Sequence, residues 1–247
     1  MPEISIAAET VFSAFGFPVT NTLVMGWLVV VALSGAALLF LRRPRIIPKG
    51  FQNAFEVVVE MVLDLLESSF GSRRLAERYF PFIATVFIFI LASNWFGISP
   101  FLGAVGIKEA GHGGIALLVP LFRSSASDIN FTLALAIISV FATQFFGIAA
   151  IGFFKYAGKF LSFKSPVAFF VGVLEIISEI AKMISFSFRL FGNIFAGEVL
   201  LIIIGFLAPY GAPVPFLMLE MFVGLVQALV FAMLTTVFVS IAVAEHQ

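Results

Sequence analysis

From Asn21 to Leu41 the chain runs 21 residues without an acidic or basic side chain. A helix of that length crosses the roughly 30 Å of bilayer hydrocarbon. Comparable apolar runs follow at 79–102, 129–154, 166–207 and 214–243. In lipid every backbone amide must find its partner inside the segment, so each run is read as a membrane helix and the chain as an all-α multi-pass membrane protein, one domain over 1–247. The balance of residue types agrees: of 247 residues 61% are apolar and 11% charged, against roughly 45–50% and about 25% in soluble domains. With 14 basic and 14 acidic residues the chain has no basic footprint for nucleic acid. The absence of Cys excludes disulfides, thiolate metal sites and cysteine nucleophiles. The twenty residues before Asn21 hold Glu3 and Glu9 but no Lys or Arg. A secretory signal starts positive, so the first run is expected to be a retained span.

Between the first two spans, Phe51 to Phe70 carries Glu56, Glu60, Asp64 and Glu67 at spacings of four and three among Val57, Val58, Met61, Leu65 and Leu66. That is the period of an amphipathic helix, expected to lie on the membrane surface, although its polar face is acidic where lipid-binding helices are usually basic. The glycine-rich stretch from Gly103 to Asp128 is expected to be a loop, with Asp128 capping the third span beside Asn130. His112 and His246 fall outside the apolar runs and are read as solvated. Arg42, Arg43, Arg45, Lys49, Arg73, Arg74, Arg78, Lys155, Lys159 and Lys164 border one side of the predicted spans, and Lys108 and Arg123 the other. The excess marks the cytoplasmic side, so the N-terminus is expected outside and the C-terminus in the cytoplasm.

The 42-residue run from Pro166 to Leu207 is too long and too charged for an ordinary span. As one helix it extends about 63 Å, twice the hydrocarbon thickness. It must therefore incline steeply, bend near Gly192 or Gly197, or break; the same two glycines could instead permit close packing. Pro166 suits a first helical position and Ala208-Pro209 a stop, and the turn to Pro213 returns the chain into a last helix, so the pair forms a long slanted hairpin.

Arg189 sits in the middle of that run. A mid-membrane arginine costs from about 2.5 to more than 10 kcal/mol and cannot shed its charge. Something must compensate it, and no acid of this chain is expected at its depth. At about 100° per residue, Glu175, Ser178, Lys182, Ser185 and Asn193 fall within roughly 40° of Arg189, so one stripe holds most of the polarity. Glu175, Glu179 and Lys182 either form a wet access path from the cytoplasmic end or are a solvated helix start with i, i+4 pairing. Glu198 lies about 13 Å beyond Arg189 on the opposite face. Across the turn, Glu220, Gly224 and Gln227 share a face, so Glu198 and Glu220 are expected at similar depth towards the outside and Gln227 near the level of Arg189. Asn193 and Gln227 either line a proton path or hold helices together by hydrogen bonds. Two buried carboxylates close together can exchange protons near neutral pH, as a relay or as a structural pair sharing one proton. Two polar zones separated by a fixed cation imply that protons cross the gap on something else. The expected carrier is a partner's carboxylate, protonated in lipid and ionised beside Arg189.

SFSFRLFGNIFAGE, from Ser185 to Glu198, closely resembles the signature of subunit a of the F-type ATP synthase membrane sector, bacterial type. PKGFQNAFE (48–56), SNWFGISPF (93–101), SDINFTLAL (127–135) and VQALVFAMLT (226–235) resemble further segments of that family, in the same order. The resemblance implies a non-catalytic stator in the bacterial inner membrane. Its partners would be the ring of c subunits, the peripheral-stalk b subunits, the rest of the complex and membrane lipid, with no cofactor and no metal. It further implies that Arg189 matches the essential arginine between two offset half-channels, and that Asn193, Glu198, Glu220 and Gln227 match half-channel and interface positions. Family members often combine Glu with His where this chain has Glu198 and Glu220.

The rival expectation is a stand-alone ion channel or secondary transporter, which would conduct without partners. An intramembrane enzyme is disfavoured because no predicted span contains His or Asp, and HExxH and GxSxG are absent.

Overall fold

A computed structural model describes residues 7–14, 16–41, 51–99, 105–110, 116–160 and 165–244. The described residues form β1 (Thr10–Ala14), β2 (Phe17–Thr20), α1 (Asn21–Leu41), α2 (Phe51–Phe70), α3 (Arg73–Ile98), β3 (Gly106–Ala110) and β4 (Ala116–Pro120). A 3₁₀ turn (Ser125–Ser127) then leads to α4 (Ile129–Ile151), α5 (Phe153–Phe160), α6 (Pro166–Leu207) and α7 (Pro213–Ala244). Five of these helices, α1, α3, α4, α6 and α7, are long and apolar enough to cross a membrane. The chain is a multi-pass membrane protein, all-α apart from two short two-stranded sheets.

Local chemistry sets the ends of these helices. Thr20 Oγ1 accepts from Leu23 N at 3.3 Å at the start of α1. Asp128 Oδ1 accepts from Asn130 N at 2.9 Å at the start of α4. Ser165 Oγ accepts from Ala168 N at 3.1 Å ahead of Pro166. Each satisfies an amide that a helix start leaves orphaned. Asp128 also accepts from Thr22 Oγ1 at 2.8 Å through Oδ2, pinning α1 to α4. Asp128→Ala removes a cap and a tie together and is expected to cost about 1–2 kcal/mol. The measurement is a lower thermal midpoint for the detergent-solubilised protein; Asp128→Asn, which keeps an acceptor, should recover most of the loss, and an unchanged midpoint in the alanine variant would refute the assignment.

The structure departs from several sequence expectations. The second span is expected at 79–102, but α3 starts six residues earlier, at Arg73, and ends at Ile98. Its early start is stabilised by charge. Arg73 meets Glu60 at 2.6 Å, Asp64 at 2.8 Å, Glu67 at 3.4 Å and Glu77 at 3.4 Å. Three of those acids belong to the polar stripe of α2, so that stripe faces a neighbouring cation as well as solvent. The third span is expected to continue to Phe154. Gly152, at φ +93°, ends it instead, because a residue in that left-handed region breaks the helix and glycine adopts it freely. Phe153 and Phe154 then begin the separate helix α5.

The expected loop from Gly103 to Asp128 contains the antiparallel hairpin β3–β4 and the 3₁₀ turn, and β1–β2 precedes α1. Strands of four or five residues give too few alternations to stand out from flanking apolar sequence. His112 and His246 lie outside the described residues.

α3 packs on α7, α4 on α6 and α7, and α2 on α3. Val86 and Ile90 of α3, Ala136 of α4, Phe186, Leu190 and Ile194 of α6, and Ala228 and Phe231 of α7 bury one another. Phe186 and Phe231 bring their ring centroids to 4.7 Å. A second cluster, around Leu66, Tyr79, Ile83 and Val239, fixes α2 against α3 and α7. α6 is one unbroken helix, so neither Gly192 nor Gly197 interrupts it. Leu190 and Ile194 face the core, which turns Arg189 and Asn193 outward.

Candidate functional site

Arg189 is exposed on the outer face of α6, and its hydrogen-bond partner among the described residues is Ser185 Oγ at 3.3 Å, one turn away. No ion pair to it occurs among the described residues. The core side of α6 is occupied by Phe186 and Leu190, so the guanidinium projects away from the bundle.

Towards the Pro166 end a groove of about 270 Å³ runs along the polar stripe, lined by Ser178, Ala181, Lys182, Ser185, Phe186, Arg189, Leu234 and Phe238. It joins Lys182 and Ser178 to Arg189. Lys182 donates to Glu179 Oε1 at 2.6 Å, and its Nζ lies 4.7 Å from the centroid of the Phe238 ring. Glu175 pairs with Lys159 of α5 at 2.9 Å. Ion pairs therefore stand beside a groove of mixed polar and apolar lining, and the pairs are not the i, i+4 ones expected. The pairing is i, i+3 for Glu179–Lys182, and Glu175 reaches a different helix.

Towards the turn between α6 and α7 a second polar cluster forms. Glu220 is buried, with 6% of its surface exposed. Its carboxylate occupies the place a side chain would take at Gly197: a Cβ there would stand 1.7 Å from Glu220 Oε2. Gly197 therefore serves close packing, while a Cβ on Gly192 would meet nothing within 4 Å. Glu220 lies within electrostatic reach of Glu198, the residue that follows Gly197. Asn94 of α3 donates to Gly224 O at 3.0 Å and Trp95 Nε1 to Met221 O at 3.0 Å, bracing the stretch of α7 that presents Glu220. Buried oxygens without a partner among the described residues gather in this part of the chain: Ser93 Oγ, Asn94 Oδ1, Ser124 Oγ and Glu198 Oε2.

Sequence reasoning missed the strongest contact here. Glu198 Oε1 accepts from Arg123 Nε at 2.9 Å, across 75 residues of chain. In the sequence Arg123 serves only to mark the side of the spans opposite the basic excess. Asn94 lies within SNWFGISPF, one of the family-like segments, and that was its available signal. Asn193 is exposed, Gln227 half-buried, and neither takes part in a hydrogen bond among the described residues. Gln227 and Arg189 are not hydrogen-bonded.

Arg189 thus separates two polar zones carried by the same helix: a groove on the Pro166 side and a carboxylate cluster on the turn side. Comparison with known proteins gives the sequence a family. Residues 23–240 match the family described as ATP synthase A chain. A relative from Campylobacter curvus (strain 525.92), ATP synthase subunit a, is 34% identical over 221 residues, covering 89% of each chain. A family match across nearly the whole chain and a relative aligned along almost its full length point to one conclusion: the chain belongs to the ATP synthase A chain family.

Proposed function

We propose that this chain is the proton-translocating stator subunit of an F-type ATP synthase, itself non-catalytic, and that it offers two offset half-channels to a rotating ring of c subunits. The observation that carries the reading is Arg189: a cation on the exposed face of α6, without an ion pair among the described residues, between the groove that holds Ser178 and Lys182 and a carboxylate cluster. A second protein must neutralise it in lipid. Ala181, Ser185, Gly192 and Ala196 are exposed near it on α6. Small side chains let another helix approach closely enough for its carboxylate to meet the guanidinium.

On this reading a proton enters at the turn side through the cluster of Glu198 and Glu220 and passes from it to a ring carboxylate. The neutral group then travels through lipid. When the ring brings it back towards Arg189 it faces the groove lined by Ser178, Lys182 and Ser185, with Glu175 and Glu179 beyond, and releases its proton there. Arg189 keeps the group ionised and bars direct passage. Asn193 and Gln227 stand beside the contact with the ring. The protein sits in the bacterial inner membrane with its N-terminus periplasmic and its C-terminus cytoplasmic, and the b subunits of the peripheral stalk restrain it against the ring.

Moving one charge through the full membrane potential exchanges about 2.3 kcal/mol per 100 mV. Summed over many steps, that energy turns the ring. The test is proton flux in liposomes under an imposed potential. The purified subunit alone should conduct at the background of empty liposomes, and flux should appear when the ring is co-reconstituted. Sustained conduction by the subunit alone would replace the stator with a stand-alone channel.

A further inference from the structure

Two carboxylates share the turn-side cluster, and the family reading does not distinguish them. Their surroundings do. Glu220 is buried over Gly197, and no hydrogen bond or ion pair to it occurs among the described residues. Glu198 instead meets a cation: Arg123 Nε lies 2.9 Å from its Oε1, and the arginine side chain is only 10% exposed. Arg123 also donates through Nη1 to the backbone carbonyl of Ala7 at 3.2 Å, so one guanidinium joins the N-terminal segment to α6. The surroundings of this arginine are braced by Asn21, which donates from N to Glu9 O at 3.0 Å and from Nδ2 to Pro120 O at 3.3 Å.

We propose that Arg123 is a positioning residue that holds Glu198 as a fixed anion, and that Glu220 is the carboxyl which exchanges protons. The proposal rests on the proton-path reading above and divides its labour. A carboxylate with one oxygen bonded to a poorly hydrated guanidinium is a poor landing place for a proton even at its unpartnered Oε2, because protonation at either oxygen removes the charge that balances the part-buried cation. Glu220 has no such tie. The Arg123–Glu198 pair then works as a unit: removing either charge alone leaves the other part-buried without the countercharge 2.9 Å away, whereas removing both leaves a neutral pair.

The experiment measures ATP-driven acidification of inverted membrane vesicles holding the whole complex, normalised to the amount of assembled complex. The variants are Arg123→Gln, Glu198→Gln, their double, Arg123→Lys and Glu220→Gln. Each single glutamine substitution in the pair is expected to lower pumping about tenfold, and the double to recover to within about threefold of the unaltered protein, since both charges are gone together. Arg123→Lys, which keeps the cation, should exceed Arg123→Gln. Glu220→Gln should lose at least about tenfold whether or not the pair is intact, as expected for a relay.

A double variant no better than Glu198→Gln would overturn the proposal, because Glu198 would then itself carry protons. So would an Arg123→Gln variant that pumps normally, or an Arg123→Lys variant no better than it. Normal pumping by Glu220→Gln would instead sink the proton-path reading on which the proposal stands. If a single variant assembles poorly, recovery of assembly in the double is the same rescue, read on the amount of complex.

Discussion

Replacing Arg189 by Ala is expected to reduce ATP-driven proton pumping by the assembled complex at least about 100-fold. The size follows from what the guanidinium must do. At an effective dielectric of about 20, a cation 4 Å from a carboxylate contributes about 4 kcal/mol, equivalent to a factor of about 10³ in the equilibrium between the ionised and protonated forms of a passing acid. Without it the acid returns past α6 still protonated and does not discharge into the groove beside Lys182 and Ser185. Arg189→Lys should recover little, because a compact, strongly hydrated ammonium is a poor replacement for a planar fork facing lipid. Passive leak through the membrane sector, measured after the catalytic head is stripped off, should rise in the alanine variant, since the fixed charge between the two zones is gone. Pumping at the normal rate would refute the role given to Arg189, whatever happens to the leak.

Gly197→Val is the second substitution with a large expected effect. The β-carbon would stand 1.7 Å from Glu220 Oε2 and 2.1 Å from its Cδ, well inside van der Waals contact. Neither helix yields easily. Phe186, Leu190 and Ile194 anchor α6, while Ala228 and Phe231 anchor α7, and Asn94 and Trp95 hold the carbonyls of Gly224 and Met221. The carboxylate must therefore leave its seat. Overpacking of this kind costs about 1–3 kcal/mol, and displacement of the relay should lower proton flux to about the level of Glu220→Gln. Quantifying assembled complex alongside flux separates the two effects. Normal flux at normal assembly would show that the seat over Gly197 has no part in conduction.

The membrane helices were legible because the hydrocarbon imposes a length and forbids charge, and Asn21–Leu41 meets both demands without interruption. Arg189 was legible for the complementary reason: a charge that violates the rule needs a cause. The capping role of Asp128 is local, and the structure places its bond to Asn130 where the sequence suggests. The early start of α3 was not legible, because Arg73 is held by acids on α2 that meet it only in the folded chain. Arg123 was hidden for a similar reason, since its partner lies 75 residues away and periodicity speaks only of neighbours within one helix. The pairing of Lys159 with Glu175 was hidden likewise, since only the placement of α5 against α6 joins them.

Because α6 continues without a break from Pro166 to Leu207, it acts as a ruler between its polar stations. The sixteen steps from Lys182 to Glu198 fix their separation at about 24 Å, and each step also fixes about 100° of phase. One residue inserted between those stations would swing one of them about a quarter-turn out of register with the other, carrying Arg189 or the seat of Glu220 with it. Growth and shortening of this polypeptide therefore belong in its hairpins and connecting segments, where no azimuth has to be preserved.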